Sequence, residues 1–202
     1  MFFLHPERLT YNNNLKGGET DLSKSNTALI IVDIINDFQF DMGDALSEKT
    51  EAMAPDLLAL KKHAHSMNWP IIYINDHFGI WQADIAAIIK KCKNRKSKNI
   101  IDLLAPSEND YFLIKPKHSA FYGTALDTLL NELAVNHLVI TGIAGICVLF
   151  TANDAYMREY DITLPKDCIA SNTEKDNRYA ITIMKDVLFA NITTSGELIN
   201  ET

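Results

Sequence analysis

Three residues far apart in this chain, Asp33, Lys115 and Cys147, are of types that do covalent chemistry, and each closes a short apolar run: ALIIVD, YFLIK and HLVITGIAGIC. Cys147 also opens a helix-patterned stretch, so the positive end of the helix dipole would favour thiolate over thiol. A lysine beside that sulfur would add to the effect. A carboxylate there can act as base and then as proton donor, and backbone N–H groups in the turn at 144–147 can hold an oxyanion, an effect of about 3 kcal/mol per donor. The chemistry would be acyl transfer to water through a thioester. Each residue also has a plain reading: Asp33 capping a turn, Lys115 solvated before Pro116, Cys147 packed in the core.

What would bring them together is the alternation of elements. The runs 28–33, 70–76, 111–115, 137–143 and 161–165 are short, β-branched or aromatic, and apolar without strict alternation, as strands buried on both faces are. Helical patterns lie at 51–67, 82–91, 125–133, 146–160 and 173–189. In the last of these, Tyr179, Ile183 and Val187, with Ile181, Met184 and Leu188, form an apolar stripe against Lys175, Asp176, Lys185 and Asp186. The expected fold is α/β: a three-layer α/β/α, Rossmann-like, mostly parallel sheet of about six strands with helices on both faces. Ligands of such sheets bind beyond the carboxyl ends of the strands, where all three residues fall.

Composition narrows the classes. The chain has 202 residues, 47% hydrophobic and 22% charged, which suits one globular core. Residues 1–26 are polar and turn-rich and read as an N-terminal arm, leaving 27–202 as a single domain. A formal charge of −7 argues against nucleic-acid binding. Cys92, Cys147 and Cys168 are too few for a disulfide framework and lack the paired spacing of a zinc cage, which fits a reducing cytoplasm. The first residues lack the apolar run of a secretory signal, and the longest near-apolar stretch, 138–152, has two glycines and is shorter than the roughly 18 residues of a membrane span. The basic run KKCKNRKSK (90–98) reads as a solvated helix end rather than an anion-attracting rim.

Three blocks resemble the isochorismatase-like cysteine hydrolases, the superfamily that includes nicotinamidases and N-carbamoylsarcosine amidases: ALIIVDIINDF (28–38), IKPKHSAFYGTALDTLL (114–130) and TGIAGICVLFTANDAYMREYDITLPKDCIAS (141–171). The resemblance implies Asp33 as general base, Lys115 as the cation beside the thiol and Cys147 as nucleophile. It further implies a cis peptide between Ile143 and Ala144, with the amides of Ala144 and Cys147 as the oxyanion hole. The turn GIAGIC is one residue shorter than the usual G-x-x-T-x-x-C and has no threonine, and Ile35 stands where many members carry glutamine. The presence of the cysteine favours C–N hydrolysis over vinyl-ether cleavage. The implied substrate is a small amide or ureido compound, with no organic cofactor and a homo-oligomer, dimer or tetramer, as the assembly.

Nicotinamidases hold a metal through D-x-H, whereas here Asp76 and His77 are adjacent and would point apart on a strand end, so no metal is expected. His77 and His118 are expected to line the cleft. Phe38, Trp81 and Phe121 adjoin strand ends and could wall it, or equally be core. The rival to an enzyme is a catalytically silent member that binds a metabolite or a partner. A nucleotide-binding domain fits poorly, because TGIAG is not a GxGxxG fingerprint.

Overall fold

All five apolar runs form strands, and the residues that follow them carry the chain back across the sheet each time as helix. The computed structural model describes residues 25–82 and 84–201. In chain order the elements are β1 (Thr27–Val32), α1 (Gly43–Ser66), β2 (Ile71–Asp76), α2 (Ile85–Cys92), α3 (Lys98–Leu104), β3 (Tyr111–Lys115), α4 (Leu126–Glu132), β4 (His137–Ile143), α5 (Gly145–Tyr156), β5 (Asp161–Pro165), β6 (Ile169–Ala170), α6 (Glu174–Asp186), β7 (Asn191–Thr193) and α7 (Ser195–Glu201). The sheet is parallel throughout, in the order β3-β2-β1-β4-β5-β7, with β6 pairing β4 beyond the end of β5. It has seven strands rather than about six. The extra ones, β6 and β7, are two and three residues long, too short for a hydrophobic pattern to register. The expected arm over 1–26 lies almost wholly outside the described residues.

Strand β1 shows why the layers form. Its side chains alternate, Leu29 and Ile31 joining the core under α1, α2, α3 and α7, while Ala28, Ile30 and Val32 join the core under α4, α5 and α6. Every β1 residue is buried, as a central strand covered on both faces requires.

Three helices depart from their sequence pattern. Helix α1 begins at Gly43, well before the expected start at 51. The α5 pattern runs to Tyr160, but the helix stops at Tyr156. Glu159 takes a left-handed conformation (φ 65°), the Glu159 N–H donates to the Tyr156 carbonyl and the Tyr160 N–H to that of Ala155, a Schellman closure without its usual glycine. In α6 the buried face is Ala180 and Met184, continued by Leu188, whereas Tyr179, Ile183 and Val187 are 59%, 42% and 59% exposed. The expected apolar stripe is thus split: Met184 and Leu188 pack on the sheet, and Tyr179, Ile183 and Val187 face outward, because the solvent side of the helix is apolar too. No helix among the described residues is long and apolar enough to cross a membrane.

Candidate functional site

β1 and β3 are separated in the sheet by β2, yet their carboxyl ends meet above it. Asp33, directly after β1, has a left-handed backbone (φ 53°) that ends the strand, a conformation aspartate tolerates better than most residues. Asn75 clamps the turn that follows: its amide donates to the Ile35 carbonyl at 2.6 Å, and its Oδ1 accepts the Ile35 N–H at 3.2 Å. Lys115, the last residue of β3, reaches over the end of β2 and places Nζ 2.7 Å from Asp33 Oδ2, with a second bond of 2.9 Å to the Lys117 carbonyl. The other carboxylate oxygen, Asp33 Oδ1, accepts the Asp76 N–H at 3.0 Å.

Cys147 comes from β4 by way of a tight turn. Gly142 (φ 119°) lies so close to β1 that a Cβ there would sit 2.1 Å from the Val32 carbonyl oxygen. The Ile143–Ala144 peptide is cis. Helix α5 then starts at Gly145, whose N–H donates to Ser171 Oγ at 3.0 Å; Ser171 donates in turn to Asn177 Oδ1 at 2.9 Å. This places Cys147 in the first turn of α5, 9% exposed, close enough to Asp33 for the charge of the carboxylate to act on the thiol. Its own N–H donates to the Ala144 carbonyl at 2.8 Å.

The protonation states differ from the sequence expectation. Burial, reinforced by the neighbouring negative charge of Asp33, pushes the Cys147 thiol up to about 12, and the attraction of Lys115 does not offset it. The resting sulfur is therefore a neutral thiol rather than a thiolate. Burial also raises Asp33 above its ordinary carboxylate range, in spite of Lys115, the thiol and the Asp76 N–H. A more basic carboxylate beside a protonated thiol is arranged for proton transfer on demand.

These groups open into a cavity of about 350 Å³ lined by Asp33, Lys115 and Cys147 together with Asn36, Asp37, Phe40, Asp76, Phe78, Pro116, Lys117 and His118. His118 Nδ1 is 3.8 Å from Cys147 Sγ. The other residues expected to wall the cleft lie elsewhere. Phe38 is fully buried in the core under α1. Phe121 is buried in the opposite core with the Arg158 guanidinium 4.7 Å above its ring. His77 and Trp81 stack on one another at 4.1 Å outside the cavity, with Trp81 65% exposed. The aromatic wall comes from Phe40 and Phe78, which the sequence reading passed over. Asp76 had a legible signal, since it closes an apolar run as Asp33 does and pairs in register with Lys115.

Among the described residues no three His, Cys, Asp or Glu side chains gather as metal ligands would. Asp76 turns its Oδ1 to the Phe78 N–H at 2.7 Å, and His77 Nδ1 accepts the Gly79 N–H at 2.9 Å. The basic run 90–98 is held by ion pairs to the helices, Lys96 with Asp44 of α1 and Lys93 and Lys98 with Asp102 of α3, and it touches the cavity loops where Asn94 donates to the Asp37 carbonyl.

Residues 27–197 match the family described as Isochorismatase domain. The chain is 64% identical over 181 residues to the isochorismatase family protein YaaI of Bacillus subtilis, covering 89% of this chain and all of YaaI. It is 44% identical over 62 residues to the ureidoacrylate amidohydrolase RutB of Klebsiella pneumoniae, but this stretch is only 30% of this chain and 26% of RutB. The structure is similar to that of N-carbamoylsarcosine amidase from Thermoplasma acidophilum, with a TM-score of 0.63 and 25% identity over 84% of this chain and 96% of that one.

Proposed function

The chain belongs to the isochorismatase family of hydrolases, and from that premise we propose that it cleaves a C–N bond of a small amide or ureido compound through a thioester on Cys147. The observation that carries the reading is the convergence of three strand ends: a buried Asp33–Lys115 pair with a protonated thiol beside it, at the floor of a cavity sized for a small metabolite. The amidases among the similar proteins support the choice of C–N bond.

In this reading Asp33 takes the thiol proton as Sγ attacks the substrate carbonyl carbon. Lys115 keeps Asp33 ionised before the transfer and balances the charge during it. The N–H groups of Ala144 and Cys147 receive the oxyanion, and that of Cys147 is shared with the Ala144 carbonyl it already meets. Collapse of the tetrahedral adduct breaks the C–N bond, the amine leaves with the proton from Asp33, and water hydrolyses the thioester. No step calls for an organic cofactor or a metal.

The test is a screen over small amides, imides and ureido acids with Cys147→Ala and Cys147→Ser as blanks, read by product release and by the mass of the intact protein. Turnover that survives both substitutions overturns the mechanism. The engaged Cys147 N–H favours one rival, a catalytically silent binder. Binding without turnover or a Cys147 adduct, in every compound class, would establish it.

We further propose a homo-oligomer joined through α5 and α6. Ile146, Phe150, Tyr179, Ile183 and Val187 form an apolar face with 42–59% of each residue exposed, and a standard interface takes about 800 Å² per partner. The rim of α6 balances Glu174, Asp176 and Asp186 against Lys175, Arg178 and Lys185, so two copies can meet here despite the net charge of −7. Sedimentation velocity should give an oligomer that Ile183→Glu dissociates; a monomeric wild type at about 50 μM would refute it.

A further inference from the structure

We infer that Ser171, oriented by Asn177, is a positioning residue for the oxyanion hole: its hydroxyl holds the peptide between Ala144 and Gly145 at the start of α5. This rests on the thioester reading above and concerns the amides in which that reading places the oxyanion.

The turn has no side chain to hold itself. Between Gly142 and Cys147 no residue carries a hydroxyl, amide or carboxylate, and Ala144, at the head of α5, offers the helix no side-chain acceptor. The cap comes instead from another strand. β6 pairs β4 with Ile169 beside Gly142 and Ala170 beside Ile143, so the next residue, Ser171, lies beside the turn. Ser171 is 4% exposed, and its Oγ accepts the Gly145 N–H at 3.0 Å. The approach is tight: a Cβ at Gly145 would lie 2.3 Å from that oxygen.

Asn177 decides which way the hydroxyl works. Its Nδ2 donates to the Ile169 carbonyl at 3.2 Å, which leaves Oδ1 as the atom that faces Ser171. The Ser171 hydrogen goes to that Oδ1 at 2.9 Å, and a lone pair of Oγ remains for Gly145. The bonds joining Ile169, Asn177, Ser171 and Gly145 therefore run in one direction, with an acceptor for each donor.

A peptide unit is planar, so fixing the Gly145 N–H also fixes the Ala144 carbonyl on its other side. That carbonyl accepts the Cys147 N–H at 2.8 Å and the Val148 N–H at 3.3 Å. Ser171 thereby sets the direction of the amide on the nucleophilic residue without meeting substrate. It lies at a second cavity, behind the turn, and not among the residues that line the cavity of Cys147. Amides fixed in this way matter where negative charge develops on oxygen, and not in a displacement that forms no oxyanion.

Two reagents separate those cases on the same sulfur. 4-Nitrophenyl acetate acetylates Cys147 through a tetrahedral oxyanion, whereas iodoacetamide alkylates it by displacing iodide and forms none. Rate constants for both, at one pH and followed by intact mass, are compared for wild type and three variants, with Cys147→Ala as blank. The variants are Ser171→Ala, Asn177→Leu, which leaves the hydroxyl free to turn, and Asn177→Asp, which keeps an oxygen acceptor. Ser171→Ala and Asn177→Leu should each slow acetylation about tenfold or more while alkylation stays within about twofold of wild type, and Asn177→Asp should recover most of the loss. Unchanged acetylation in Ser171→Ala overturns the inference, as does an equal fall in both reactions, which marks displacement of the thiol rather than of the amides. Asn177→Asp as slow as Asn177→Leu overturns the part given to Asn177. Should Ser171→Ala not fold, Asn177→Leu decides by the same criteria. If the wild type itself is not acetylated on Cys147, the thioester reading falls and this inference with it; a wild type that acetylates beside unaffected variants removes this inference alone.

Discussion

Lys115 Nζ lies 2.7 Å from Asp33 Oδ2 although the strands that carry them are not neighbours, and the two side chains are 3% and 9% exposed. The lysine crosses the end of β2 to make the pair, and β2 takes part through the Asp76 N–H on the other carboxylate oxygen. One ion pair therefore fixes the relative positions of three strand ends on the face where the cavity opens.

Removing one partner should be costly. Lys115→Met leaves a buried carboxylate without its cation, with only the Asp76 N–H and the neutral Cys147 thiol beside it, and the loss of stability to urea is expected at about 3–5 kcal/mol. Asp33→Asn in the same chain should recover most of that loss, because the neutral pair no longer carries an uncompensated charge. A single-variant loss under about 1 kcal/mol would mean the pair is solvated in solution.

The acid side of the activity profile should report Asp33. Its carboxyl is raised by burial, so protonation removes the base at a higher pH than an ordinary carboxylate would. The expected profile of kcat/KM is flat near neutrality and falls towards acid with an inflection above about 4, the ordinary carboxylate value. Full activity persisting below that value would exclude a raised Asp33 as the base.

Backbone proximity at the turn sets a third expectation. A Cβ at Gly142 would lie 2.1 Å from the Val32 carbonyl oxygen and 2.7 Å from the Val32 nitrogen, at a φ of 119° that alanine rarely adopts. Gly142→Ala should therefore push β4 away from β1 directly below Asp33, lowering the thermal midpoint by at least about 5 °C and activity with it. An unchanged midpoint and turnover would show that the two strands are free to separate here.

How much of this was legible in the sequence follows from what each signal depends on. Asp33, Lys115 and Cys147 could be placed together because a parallel sheet carries every strand's carboxyl end to one edge, whatever the strand order. Phe40 and Phe78 could not, since each lies in a loop whose direction is set by contacts made elsewhere. Phe38 has the right type and place for a cavity wall, yet its left-handed backbone (φ 54°) turns it into the core. Helices α3 and α7 are seven residues each, under two full turns of pattern. The stripe on α6 was visible, but a helix apolar on two sides does not say which one the sheet takes. Least legible was the state of the sulfur: a helix N-terminus and a nearby lysine both argue for thiolate, and only the packed structure shows that burial and a carboxylate outweigh them.

That balance gives the last prediction two readouts that must move in opposite directions. With the thiol at about 12, iodoacetamide should alkylate Cys147 at a rate rising about tenfold per pH unit from 6 to 9, with no plateau. Asp33→Asn removes the negative charge that helps hold the proton on sulfur, so the thiol becomes more acidic and alkylation at pH 8 should quicken. Lys115→Met removes the opposing charge and should slow it. Turnover has the other sign for Asp33→Asn, since an amide cannot accept the thiol proton, and a loss of at least about a hundredfold is expected. A variant that both alkylates faster and turns over slower is explained by a base acting on a protonated thiol. If Asp33→Asn slows alkylation, or wild-type alkylation levels off near pH 7, the sulfur is a resting thiolate and Asp33 has another role.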